Sequence, residues 1–313
     1  MAKDEYFDIT KLYPVLEKNG WTEGKNFMKF WADGPANVAK NDPREGKSTV
    51  GANVSTGLRI YELKWKWLTQ FRYVVDKYNE FFKTRAKNKR LQDLLRNKYG
   101  KKAVHKVHED INEWLTNDLS PRIYIGKIKQ HQAQYIEVNS YELNQNRFDD
   151  MVAALNGFHF YAFYKGGVIN SALDKQNISQ CIDEPRPGES VPLRYKNDPL
   201  QLVPKSIRYE VYKYLQNPKI KNVIYISHIG MYAADIYEFN GSQYLATWNL
   251  KNNTVEISKW DYLWGTSDTD DEEDLAITNE TYNIYRQKTN KGGDFLALSP
   301  IKLVEYPFTV PVY

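Results

Sequence analysis

Asp235, Tyr237 and Glu238 fall within four residues in GMYAADIYEFNG, an acid, a phenol and a second acid just before an Asn-Gly dipeptide. Two carboxylates this close can hold a divalent cation against a phosphate, or divide general base and general acid between them. In a regular strand Asp235 and Tyr237 share one face and Glu238 points to the other, so the acids cannot cooperate there. A β-bulge or an early strand end would bring them together. The same spacing also suits two acids on the polar rim of an exposed hairpin.

Other constellations are thinner. HKVHED sets His105 and His108 one turn apart, with Glu109 four residues after His105, so a helix can present two or three metal ligands there or simply a solvated face. Lys291-Gly292-Gly293-Asp294 can form a backbone nest for an anion or a turn. The tryptophans of WKW (Trp65, Trp67) and of Trp260 to Trp264 can meet sugar rings or lipid, or fill core. The chain has no H-E-x-x-H, no G-x-S-x-G and no phosphate-cradling G-x-x-x-x-G-K-S/T. That argues against the common zinc protease, lipase and nucleotide-hydrolase designs.

The elements that would position these residues follow from periodicity. Tyr61, Trp65, Leu68, Phe71, Val75, Tyr78 and Phe82 recur every three or four residues and predict one long amphipathic helix. Further helices are expected over 91–114, broken near Gly100, and over about 206–215, stopped by Asn217 and Pro218. Asp149 and Asp150 suit the cap of a short helix, MVAALN, which Gly157 can end in a left-handed conformation. IYIGKIKQHQAQYIEV and FHFYAFYKGGVI read as strands, the second with a Gly-Gly turn. NVIYISHIGMYAADIYEF and QYLATWNL, joined by Asn240-Gly241, predict a β-hairpin, and Lys251-Asn252-Asn253 turns the chain again into TVEIS.

The expected fold class is α+β: a mainly helical region over 1–120, then a largely antiparallel sheet or partly open barrel over 121–313. Five prolines from Pro185 to Pro204, together with Gly188, make 181–204 a loop. With 313 residues, 42% of them hydrophobic, the chain can bury a core in one large or two smaller domains. The single cysteine, Cys181, excludes an intramolecular disulfide and a thiolate-rich zinc site. No apolar stretch reads as a signal peptide or membrane span, so a protein made in the cytoplasm is expected. Net charge is +4. The basic run from Lys83 to Lys106 reads as a solvated helix face, with no nucleic-acid partner expected; DTDDEED, 268–274, reads as a surface loop.

GWTEGKNFMKFWADG, FDDMVAALNGFHFYAF, IGMYAADIYEFNGSQYLATWN and RQKTNKGGDFLALSP together resemble a bacterial family of uncharacterised proteins associated with type VI secretion loci. The resemblance implies an antibacterial cargo delivered into the envelope of neighbouring cells. A secretion spike or chaperone and an immunity protein would then be its partners. The D-x-Y-E segment is also similar to the catalytic segment of colicin M, whose enzymes cleave a lipid-linked peptidoglycan precursor. By position this implies Asp235, Tyr237 and Glu238 as catalytic residues, with Asp235 and Glu238 binding Mg2+ or another divalent cation. Colicin M continues with a His-Arg pair where this chain has Tyr244 and Leu245. His228 would have to carry the proton and Arg286 clamp the phosphate. The alternative is a non-catalytic module: a pore-forming or binding toxin, or a secretion adaptor.

Overall fold

The computed structural model describes residues 6–39, 58–99, 136–139, 149–155, 157–170, 200, 203–239, 241, 243–256 and 274–313. The fold is α+β, with helices in the N-terminal part followed by a largely antiparallel sheet. The chain forms two units, each assembled from separate stretches. Met1–Tyr78, Ile136–Phe160 and Ala233–Pro300 make the first; Asn79–Tyr135, Tyr161–Tyr232 and Ile301–Tyr313 make the second. The expected boundary at residue 120 lies outside the described residues.

In the first unit, helix α1 (Tyr13–Lys18) follows a 3-10 turn, Ile9–Leu12, that Asp8 caps through the Thr10 amide. Helix α2 (Thr22–Ala32) buries Gly24, Phe27, Met28 and Trp31, a stripe at the spacing of one helix face. Strand β1 (Arg59–Glu62) lies parallel to β8 (Phe295–Leu298), and β8 pairs antiparallel with Ala234–Tyr237, the end of β4 (Asn222–Tyr237). Strand β2 (Ile136–Asn139) pairs with Gly157–Phe160, the start of β3 (Gly157–Asn170). A separate three-stranded sheet takes β5 (Tyr244–Asn249) between β6 (Thr254–Glu256) and β7 (Asp274–Thr278). Helix α8 (Asn279–Thr289) starts at a Thr278/Thr281 capping box and ends at Asn290 in the left-handed conformation.

The second unit has a largely aliphatic cluster that also takes in Tyr225. Val211 and Leu215 of the helix Arg208–Leu215 pack with Ile169, Leu200, Val203, Ile220 and Val223. The remainder of β4 pairs with β9 (Lys302–Val312), with one irregularity between Ile226 and His228. One residue of β4 there, Ser227, faces two of β9, Tyr306 and Pro307. The Pro311 carbonyl accepts from Arg96 Nε at 3.0 Å, so it points away from β4. The missing N–H of Pro311 is therefore on that outer side too, where it costs no ladder bond. On β3, Gly166 lies so close to the Tyr225 carbonyl that any Cβ would collide with it.

Several expectations change. The long helix from Tyr61 is instead strand β1, a short turn of helix (Trp65–Leu68), and α-helix Arg72–Glu80 running into a π-helical turn, Phe81–Arg85. The reason is tertiary: β8 captures Arg59–Glu62 in its ladder, and the Leu63 amide bonds the Leu298 carbonyl at 2.9 Å. Gly166-Gly167 does not turn the chain; β3 runs straight through it. Gly157 does not end a helix in the left-handed conformation but begins β3, after Leu155 has already turned extended. The β4–β5 hairpin does not form, because the two strands belong to different sheets. Phe239, past the end of β4, stacks on Tyr282, centroids 3.6 Å apart. The helix expected over 206–215 is present, as are the Asp149 cap and the turn at 251–253. Of the helix expected over 91–114, Lys89–Tyr99 is helical and the remainder lies outside the described residues. So do most of 181–204, 268–273, His105, His108 and Glu109.

Candidate functional site

A set of buried polar contacts in the first unit joins the end of α2 to the segment before β8. Asp294, 1% exposed, is its centre. Its Oδ1 accepts from Trp31 Nε1 at 3.0 Å and from Arg286 Nη2, and its Oδ2 accepts from the Ala39 amide at 2.9 Å. Burial pushes the Asp294 carboxyl above the usual carboxylate range, against the opposing pull of Arg286 and these hydrogen bonds. Arg286, 6% exposed, projects from the buried face of α8 and places its Cζ 5.1 Å from the centre of the Trp31 ring. A desolvated cation on an indole face gains about 2 kcal/mol beside its carboxylate partner.

Backbone bonds lock the same junction. Gly292 donates to the Gly34 carbonyl at 2.9 Å, Gly293 to Trp31 at 3.0 Å and Asp294 to Asn37 at 3.0 Å. Gly292 has φ +92°, and a Cβ there would overlap the Trp31 indole. Arg59 donates to the carbonyls of Phe30, Trp31 and Gly293, the first two in the last turn of α2, and lies 4.2 Å over the Phe30 ring. It thus satisfies carbonyls left over at a helix C-terminus. Burial pulls the Arg59 guanidinium down from its ordinary value, and Asp33 opposes that shift.

The other end of α2 is held by an acid from a different segment. Trp21 supplies no side-chain cap, and Asp150 Oδ1 accepts from the Gly24 amide at 2.7 Å, while its Oδ2 accepts from Trp67 Nε1 at 2.8 Å. Asp149, its neighbour, caps its own helix Asp150–Ala154 through Val152. The pair of aspartates in FDDM is thereby divided between two helices.

The residues expected to do chemistry are distributed differently. Asp235 is half-buried and sits in unbroken register opposite Ala297, with Tyr237 opposite Phe295. No bulge occurs between Ala234 and Tyr237 against β8; the irregularity in the pairing of β4 with β9 lies at Ile226/His228. Glu238 is the first residue past the strand. Tyr237 stacks on Phe295 at 4.9 Å and meets Phe27 and Phe239 edge-on, and burial pushes its phenol well up. Its ring is part of the aromatic core. Arg286 is bonded to Asp294. His228 belongs to the second unit, across from Glu305, with Nδ1 3.0 Å from Ser227 Oγ. Among the described residues no three His, Cys, Asp or Glu side chains gather as a metal site, and no helix is long and apolar enough to cross a membrane.

Trp31, Arg59 and Asp150 are not among the expected site residues, and Asp294 enters the sequence reading only through the K-G-G-D nest or turn. Their signals were the K-G-G-D and F-D-D segments, legible as turn and cap but not as partners of α2. The first unit therefore defines an α+β protein braced by a buried Asp-Arg-Trp node rather than by an open carboxylate cleft. The chain belongs to a family of unknown function, DUF6402, whose model matches residues 7–313. No curated protein and no solved structure matches it.

Proposed function

We propose that this chain acts by binding rather than by catalysis, as a non-catalytic toxin or adaptor module of the type VI secretion kind that its motifs resemble. The observation that carries this reading is the regular ladder from Ala234 to Tyr237 against β8, with Tyr237 stacked into the core. A catalytic pair needs Asp235 and Glu238 converging on one cleft; the ladder through Tyr237 supplies no bulge that would turn Asp235 toward Glu238, the first residue past the strand. Arg286, the group that would clamp phosphate, already has a carboxylate partner in Asp294. The competing reading is a colicin M-like hydrolase of the cell envelope, using a divalent cation on Asp235 and Glu238.

The two readings separate in a growth assay. A Gram-negative host expresses the chain in the cytoplasm or behind an added export signal, alongside Asp235→Ala and Glu238→Ala, each checked for folding by thermal melt. Binding predicts that folded variants behave as the parent does, whether toxic or harmless. Toxicity seen only on export and abolished by either folded variant would establish the enzyme reading instead.

A further inference from the structure

We infer that the second unit docks on an anionic lipid surface through the lysines around the helix Arg208–Leu215, with Tyr313 beside them. The chain divides its charge unevenly between the two units. By sequence the second unit carries 24 Lys and Arg against 13 Asp and Glu, a net +11, and the first carries 19 against 26, a net −7. The whole-chain value of +4 conceals both. A split of this size gives the units fields of opposite sign, and only the second attracts anions.

Within the second unit the cations that reach solvent are uncommitted. Lys83, Lys87, Lys89, Lys205, Lys213 and Lys219 are exposed, and none of their ammonium groups has an acid partner among the described residues. Asp93 is paired with Arg96 instead, and Glu210 accepts from the Tyr214 hydroxyl at 3.2 Å. Charge gathers where the helix ends. The Ile220 amide bonds the Asn217 carbonyl at 3.0 Å and the Lys221 amide bonds the Val312 carbonyl at 2.8 Å, which sets Lys219 and the exposed Lys221 beside the end of β9. Tyr313, 67% exposed, follows there and interacts electrostatically with Tyr214.

This chemistry favours a lipid surface over a nucleic acid. Arg96 and Arg208 carry the planar fork that grips phosphates and base edges, and both are spent on internal acceptors, the Pro311 and Val203 carbonyls. What faces outward is lysine interleaved with the half-buried Tyr209, Tyr212 and Tyr214. Lysines supply point charges that attract anionic headgroups, and phenols suit the depth of a headgroup layer. The inference does not depend on whether the protein acts by binding or by catalysis.

The full chain is sedimented with vesicles of phosphatidylcholine, with and without phosphatidylglycerol. Ionic strength is raised from about 0.1 M to about 1 M, which shortens the screening length from about 10 Å to about 3 Å. The expected result is binding to the anionic vesicles alone, lost at high salt. Lys205→Glu/Lys213→Glu/Lys219→Glu, checked for folding by thermal melt, should bind at least about 100-fold more weakly, about fivefold for each lysine removed. Lys29→Glu/Lys64→Glu/Lys66→Glu makes the same change of charge on exposed lysines of the first unit and should keep most of the parent's affinity. No binding to anionic vesicles, equal binding to both kinds, or an equal loss in the two triple variants would overturn the site. Tighter binding to duplex DNA at matched phosphate concentration would overturn the choice of lipid.

Discussion

The two units bury different chemistry. The first holds Asp294, Arg286 and Arg59 among Trp31, Phe27, Tyr237, Phe239 and Phe295, so its packing depends on charges meeting their partners. The second has a cluster of Val211, Leu215, Val223 and Ile169 that asks mainly for volume, beside buried Tyr225, Phe81, Tyr164 and Phe308 and an Arg208 whose Nε donates to the Val203 carbonyl at 2.9 Å. A buried ion pair is costly to desolvate and stringent in geometry, whereas aliphatic contacts are forgiving. Parts of the stretches that carry the resemblance meet in the first unit: Gly24 and Asp150 bond each other, Trp31 bonds Asp294, and Tyr237 pairs with Phe295.

The largest effect that would sharpen this contrast is at Asp294. Asp294→Ala should cost about 3–5 kcal/mol, because it leaves Arg286 charged and buried. The double variant Asp294→Asn/Arg286→Met should recover most of that loss in urea unfolding. A double variant as unstable as the single one would break the account of the pair as a coupled unit. Leu215→Ala in the second unit should cost about 2–5 kcal/mol through lost burial and a cavity, with no partner substitution able to rescue it by charge. Asp150→Ala, which removes an acceptor for the Gly24 amide and the Trp67 indole, should cost about 1–2 kcal/mol, read from the same denaturation curves.

The smallest expected effect is in pH dependence. The folded carboxyl of Asp294 titrates above its unfolded value, so the native state holds this proton more tightly. Its contribution is then most favourable at pH below the unfolded carboxylate range. It declines as pH rises through that range to the raised folded value. Unfolding measured from pH 3 to pH 7 should show this slope in the parent and lose it in Asp294→Asn/Arg286→Met. An identical slope in both would assign the effect to other carboxylates.

What the sequence determined by itself is local. The α+β class, the helix over 208–215, the Asp149 cap and the turn at 251–253 were legible because each depends on residues within a few positions of one another. Tertiary structure decided the rest. Tyr61 sits in a helical stripe, yet β8 takes it into a sheet, since ladder bonds to Phe295–Leu298 outweigh a modest local preference. Asn240-Gly241 is strong turn chemistry, yet Phe239 finds Tyr282 and no hairpin closes. The Asp294 node joins residues more than 250 positions apart, Trp31 and Ala39 to Asp294, and no periodicity encodes that meeting. A buried carboxylate selects its partners by three-dimensional proximity and by the cost of leaving any donor unpaired, and only the folded chain sets those terms.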